Sequence, residues 1–379
     1  MRDDSQSPPC NVDLSEDDAT LYESLLAGDH SALARVITKI ENRTPGYRKL
    51  LSALHAETGG ASVVGITGSP GTGKSTLVDA LTTQYREQGE TVGIIAVDPS
   101  SPYTGGSVLG DRIRMGSTAG DMDVFVRSMS ARGRLGGLSM ATADAVKALD
   151  AFGKDRIIVE TVGAGQNEVD IVETAETVVV VVQPGSGDDI QLLKAGILEI
   201  GDLFVVNKAD MDEAAGTVGD LEAMIHMDHS PTAGLSTGHH GPDPESEPHV
   251  DAESPDGNQP HWTPPVIETV GTKQTGVDEL RSALDEHQQY LTDSGEREDR
   301  RRKRAATEIR RLLRTDLGEL GEQLLDSQGG VEALAAAVAR KETDPYAVVE
   351  RIVDPLDSAI EQSAATRATG TNETELSEE

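Results

Sequence analysis

The chain has 379 residues, enough for about two average domains or one large domain with appendages, and carries 66 acidic against 33 basic residues, a formal net charge of −33. That charge disfavours broad binding to nucleic acid or to an anionic membrane; with lysine scarce, it reads as the surface of a salt-adapted protein rather than a site for a cationic partner. A single cysteine, Cys10, excludes a disulfide framework and a cysteine-built zinc site.

Residues 1–18 are polar and acidic, expected to be disordered, and contain no signal-peptide core. Over 19–58 the recurrence of Leu21, Leu25, Leu33, Val36, Ile37 and Ile40 near helical spacing, broken at Thr44, Pro45 and Gly46, predicts a helical extension. Short β-branched runs follow at Val63–Thr67, Val92–Val97, Val124–Val126, Ile157–Glu160, Val178–Val182, Leu203–Val206 and Val266–Val270. None approaches the about 20 apolar residues that span a bilayer, and the expected location is the cytoplasm. Helix-length segments separate most of these runs, which predicts a parallel α/β sheet covered by helices over 59–290.

No Lys or Arg occurs between Lys208 and Lys273, and 228–264 is rich in Pro, Gly, Ser, His and acids. Such a segment buries too little apolar surface to offset its ordering entropy and reads as a disordered insertion. It holds most of the histidines, whose irregular spacing favours a solvated loop over a metal site. From 291 to 360 the pattern is helical again. Arg297–Arg314 is basic, and Ile309, Leu312, Leu313, Leu317, Leu320, Leu324 and Leu325 form an apolar stripe that fits packing or dimerisation better than nucleic acid. Residues 361–379 are a polar tail, expected to be disordered.

Gly68, Ser69, Pro70, Gly71, Thr72, Gly73, Lys74 and Ser75, followed by Thr76, fit G-x-x-x-x-G-K-[ST]. The run at Val63–Thr67 leads in, and Leu77, Val78, Leu81 and Tyr85 lead out on a helix stopped near Gly89. Glycines let backbone N–H groups curl round phosphate oxygens, and the helix N-terminus adds its positive end. Lys74 places a charge on the β/γ-phosphates, and the Ser75 hydroxyl suits Mg²⁺. Asn207, Lys208 and Asp210 form N-K-x-D after the run Leu203–Val206. An Asp carboxylate there accepts N1–H and the 2-amine of guanine, whereas adenine leaves it unpaired. The Lys208 stem can lie over the base. Asp98 and Glu160 end two further strands, where acids near Mg²⁺ can bind its waters or orient the attacking water. Glu160 stands where GTPases commonly have the Asp of D-x-x-G, and Gly163 suits a backbone contact to the γ-phosphate.

Three longer motifs, VDPSSPYTGGSVLGDRIRM over 97–115, VRSMSARGRLGGLS over 126–139 and VETVGAGQNEVD over 159–170, resemble the MeaB/ArgK group, the methylmalonyl-CoA mutase-associated GTPases. The resemblance implies a P-loop G domain of the SRP/MinD-like class with an N-terminal helical extension and a C-terminal helical dimerisation arm. It implies a homodimer that binds GTP or GDP with Mg²⁺, hydrolyses GTP, and loads, gates or protects the adenosylcobalamin-dependent mutase. Lys74 and Ser75 take the phosphate-loop roles, Asp98 and Asp111 fall in the first switch and Glu160 in the second. Ser75, Asp98, Asp111 and Glu160 are the candidate metal ligands. Gln191 and Lys194, in DDIQLLK over 188–194, resemble a partner-responsive segment. One departure is plain: where the family often has Ser-Ala to close over guanine, this chain has Val270, Gly271 and Thr272. Two other readings stay open, a kinase linked to amino-acid transport and a metal-insertion GTPase.

Overall fold

The computed structural model describes residues 12–98, 120–130, 137–161, 171–172, 174–185, 198–228 and 261–355. The chain divides into two compact units, 1–304 and 305–379.

The first unit is built on seven strands: β1 (Ser62–Thr67), β2 (Val92–Asp98), β3 (Val124–Ser130), β4 (Arg156–Thr161), β5 (Thr177–Val182), β6 (Leu203–Asn207) and β7 (Val266–Thr269). They form one sheet in the order β3-β2-β4-β1-β5-β6-β7, with every pairing parallel. Helices α1 (Glu16–Leu26), α2 (His30–Glu41) and α3 (Tyr47–Leu54) precede β1. Helix α4 (Lys74–Glu87) follows β1, α5 (Gly137–Phe152) follows β3, α6 (Ala214–Asp228) follows β6 and α7 (Val277–Asp293) follows β7.

The continuous apolar runs follow from burial on both faces. β1 and β5 are buried at every position, and because side chains alternate across a strand, neighbours serve different cores. Val63, Val178 and Val180 join the cluster formed with α1, α2, α3, α5 and α6. Val64, Ile66, Val179 and Val181 join Leu77, Val78 and Leu81 of α4 and Leu280 and Leu284 of α7. The sheet is therefore covered on both sides, as its pattern requires.

Three boundaries differ from the sequence reading. Helix α1 begins at Glu16, inside the stretch expected to be disordered to residue 18. The Ser15 side chain accepts from the Asp18 N–H at 3.2 Å, and Glu16, Asp17 and Asp18 occupy the positive first turn. Asp18 is buried and pairs with Lys39 at 2.8 Å. Strand β3 runs to Ser130, past Val126. At the end of the acidic insertion, Trp262 already belongs to the folded body: its Nε1 donates to the Asp202 carbonyl at 2.8 Å, and its ring lies 4.7 Å from that of His287.

Helix α8 (Glu296–Ser327) contains the division between the units. Its first turns explain the basic run. Arg297 and Arg301 hold the buried Glu176 carboxylate at 3.1 and 3.2 Å, Arg304 donates to the Ala175 carbonyl at 2.7 Å, and Arg300 grips Asp202 at 3.0 Å. These cations are spent on carboxylates just before β5 and β6. In the second unit, Ile309, Leu313, Leu317 and Leu320 of α8 are all exposed. Helix α9 (Gly330–Ala339) and a helical segment over 345–355 complete the described residues. Among those residues, no helix is long and apolar enough to cross a membrane.

Candidate nucleotide-binding site

Gly68 to Ser75 form the turn from β1 into α4, at the C-terminal edge of the sheet where parallel α/β folds take ligands. Gly68 has φ +137°, and a Cβ there would fall 2.0 Å from the Val181 carbonyl oxygen. Gly73, with φ +90°, is the N-cap of α4, and a Cβ on it would meet Asn207 Nδ2 at 2.5 Å. Only glycine fits either place. Lys74 is buried, and its Nζ donates to the carbonyls of Gly68 at 2.6 Å and Ser69 at 2.9 Å. The ammonium is thus held inside the loop, beside the first-turn N–H groups that α4 leaves without helical acceptors. Thr72 is buried and its hydroxyl donates to the Ser69 carbonyl at 3.0 Å. Pro70, Gly71 and Thr76 are exposed on the rim.

The second loop follows β6. Asn207 is its hub: Nδ2 donates to the Thr72 carbonyl at 2.8 Å, while Oδ1 accepts from the Gly271 N–H and the Thr269 hydroxyl, both at 3.1 Å. One buried amide thereby fixes the phosphate loop, the N-K-x-D loop and the turn after β7 relative to each other. Lys208 has φ +62°, and its Nζ donates to the Gly71 carbonyl at 2.7 Å and to Gln183 Oε1 at 2.8 Å. Asp210 accepts from Lys273 Nζ at 2.8 Å, and this hydrogen bond holds its carboxyl below the usual carboxylate range. Val270 bridges to Thr275, Gly271 is buried against Asn207, and Thr272 is exposed.

Where the start of α4 faces the end of β4, Ser75 Oγ donates to Glu160 Oε1 at 2.5 Å. Glu160 stands beside Ile66 of β1 on one side and Ala96 of β2 on the other. The Thr161 hydroxyl donates to Thr67 Oγ1 at 2.9 Å, tying the tips of β4 and β1 together. Hydroxyl and carboxylate oxygens are the hard donors magnesium prefers, and its sites need only one or two carboxylates besides phosphate. Ser75 and Glu160 fit that ion. Asp98 ends β2, paired in register with Ser130. Asp111, Gly163, Gln191 and Lys194 lie outside the described residues.

The fold thus brings Gly68 to Ser75, Glu160, Asn207, Lys208, Asp210 and Gly271 to one edge of the sheet. Gln183, Thr269 and Lys273 have no place in the motifs and emerge only here. A faint signal existed for two of them, since Gln183 and Thr269 are polar residues at the ends of apolar strands. Among the described residues, no group of three or more His, Cys, Asp and Glu is placed to hold a metal by itself.

Sheet order, phosphate loop and N-K-x-D loop together are those of a P-loop GTPase, a protein that binds guanine nucleotide and hydrolyses GTP. The chain belongs to the methylmalonyl Co-A mutase-associated GTPase MeaB family, whose model matches residues 33–323. A relative in Pyrococcus abyssi is 44% identical over 333 residues, covering 88% of this chain and 95% of its own. GTPase ArgK of Escherichia coli is 34% identical over 285 residues, covering 73% of this chain and 79% of its own. The crystal structure of an LAO/AO transport system kinase superposes with a TM-score of 0.61 at 22% identity, covering 91% of this chain and 99% of that one, which is a likeness of fold.

Proposed function

We propose that this GTPase serves an adenosylcobalamin-dependent methylmalonyl-CoA mutase, using GTP binding and hydrolysis to assemble or protect that enzyme in the cytoplasm. The observation that carries the reading is the family match over 33–323, in a family associated with that mutase by name. In this reading, Lys74 and the N-terminus of α4 hold the β- and γ-phosphates, and Asp210 accepts the N–H groups of guanine. Ser75 and Glu160, with Asp98 and Asp111, hold magnesium, which when bound neutralises charge on the phosphate oxygens. Glu160 also orients the attacking water, and Gly163 answers to the γ-phosphate. Gln191 and Lys194 belong to the segment that responds to the mutase. Intrinsic turnover is slow until an arginine reaches the transferring phosphoryl group. Arg112, Arg114, Arg132 and Arg134 are candidates, as is an arginine of the partner. The domain division goes with this: a helical extension over 19–58, a G domain over 59–290, and an arm over 291–360 whose exposed stripe pairs two copies.

The test is GTP turnover by the full chain with and without the mutase of the same cell. The expected result is a change in turnover of about tenfold or more on adding the mutase, the scale on which partners act on slow GTPases. Identical turnover in both conditions, with no complex on gel filtration, overturns the reading. The name of the superposing transport system kinase keeps a second reading in view, phosphate transfer to a transport protein. Label from γ-labelled GTP on a protein, instead of on free phosphate alone, decides for it.

A further inference from the structure

The two charged side chains of the N-K-x-D loop are each held by a residue outside the motif. Lys208 Nζ is shared between the Gly71 carbonyl and Gln183 Oε1, and Asp210 Oδ2 takes Lys273 Nζ at 2.8 Å. We infer that Lys273 and Gln183 are positioning residues for guanine recognition, Lys273 by orienting the Asp210 carboxylate and Gln183 by drawing the Lys208 stem across the site. The inference rests on the assignment of Asp210 to the base.

The need for such partners is physical. Asp210 is about half exposed, at 46% of its side chain, and a carboxylate in water turns freely about its side-chain bonds. Guanine presents N1–H and the 2-amine side by side, so both must meet one carboxylate in one plane. A cation fixed at Oδ2 removes rotational freedom before the base arrives. Because a carboxylate offers about four lone-pair sites, Lys273 leaves room for both donors. Lys273 is itself well placed. It closes the short turn Gly271–Lys273, whose Gly271 N–H is fixed by Asn207. The chain also has no basic residue between Lys208 and Lys273, so the first cation after the motif returns to the motif's own acid.

Gln183 acts on the other side. It directly follows β5, whose Val182 pairs with Val206 of β6, so its height relative to Lys208 is set by sheet register. Lys208 holds the left-handed φ of +62°, uncommon for a residue with a Cβ. Two acceptors on its ammonium, one from the phosphate loop and one from Gln183, stretch the stem between the two halves of the site. An apolar stem held straight in that place covers a base plane.

The experiment measures binding of GDP, IDP, XDP and inorganic tripolyphosphate to the full chain. IDP lacks the 2-amine, so the GDP to IDP ratio reports the Asp210 contact. Lys273→Ala is expected to weaken GDP by roughly two- to fivefold, the range of an exposed ion pair. It should narrow the GDP to IDP ratio, leave tripolyphosphate unchanged, and be rescued by Lys273→Arg. Gln183→Ala should weaken GDP and IDP alike, again sparing tripolyphosphate, with Gln183→Glu restoring both. GDP binding that is unchanged or tighter in Lys273→Ala overturns the role of Lys273; the tighter case makes the ion pair a competitor of the base. Tripolyphosphate affinity lost in parallel overturns it too, because the effect is then structural. Asp210→Asn separates the two layers: it should exchange preference from GDP to XDP. If it does not, the base assignment itself fails. If it does while both alanine variants behave as the parent, only the positioning inference fails.

Discussion

Lys74 carries two loads that two measurements on a single substitution tell apart. Its ammonium neutralises phosphate charge in the proposed mechanism, and it also ties the loop through the carbonyls of Gly68 and Ser69. Alanine removes both, leaving the buried Gly68 carbonyl and the half-buried Ser69 carbonyl without that donor. The structural loss is about 1–3 kcal/mol and shows as a fall of several degrees in melting temperature. The functional loss is much larger, because a fixed charge at the phosphates is worth far more where water is excluded. Lys74→Ala should therefore cut GTP turnover by about a hundredfold or more while the protein still melts cooperatively. Turnover within tenfold of the parent, measured as phosphate release, counts against Lys74 at the phosphates. At this scale the motifs told most of the story. That Lys74, Ser75, Asn207 and Asp210 meet at one edge of the sheet was legible, because chemistry restricts which side chains make up a phosphate-loop or N-K-x-D motif. Gln183 and Lys273 were not, because a glutamine after a strand or a lysine in a turn has many uses, and only the fold brings them to Lys208 and Asp210.

Among the elements, the strands were legible because burial on both faces demands unbroken apolar runs, as β1 and β5 show. Order in the sheet was not, since nothing local to β4 says that it lies between β2 and β1. The end of β3 was missed because Arg127 and Ser128 interrupt the apolar run, yet Arg127 Nη2 pairs with Glu41 of α2. The start of α8 shows in the sequence only as a basic run beside a stripe that fits packing or dimerisation, and in the structure Arg297, Arg300, Arg301 and Arg304 are met by Glu176 and Asp202 at the feet of β5 and β6. That contact makes a testable statement about acid. Burial pushes the Asp202 carboxyl up, but His287, with Nε2 3.4 Å away, and the Arg300 guanidinium outweigh it and leave it below the ordinary range. A carboxyl depressed in the folded state stabilises above its unfolded value, about 3.9. That stabilisation drains as pH falls through the folded value, since the unfolded chain then binds more protons. The melting temperature should fall between about pH 5 and pH 3, and Asp202→Asn, already less stable at pH 7, should fall less over the same window. Parallel curves for the two proteins place the acid sensitivity elsewhere than Asp202.

For the whole molecule, the net charge of −33 and the exposed stripe of α8 pull in opposite directions. Ile309, Leu313, Leu317 and Leu320 recur at helical spacing and are 47–65% exposed, an arrangement that water penalises until something covers it. The proposed cover is a second copy of the chain, but two copies bring two like charges together. At 0.1 M salt the screening length is about 10 Å, so repulsion reaches well beyond contact; at 1 M it is about 3 Å and the repulsion is confined to neighbouring side chains. Apolar burial is not weakened by such screening. The dimer should accordingly tighten with salt, by about tenfold or more in dissociation constant between 0.1 M and 2 M KCl, as read by sedimentation equilibrium. Leu313→Asp with Leu317→Asp should keep the chain monomeric at both concentrations, because each buries a charge in the stripe. A dimer that loosens as KCl rises would mean that ion pairs, rather than this stripe, join the copies, and the acidic surface would then be an element of assembly instead of an obstacle that salt removes.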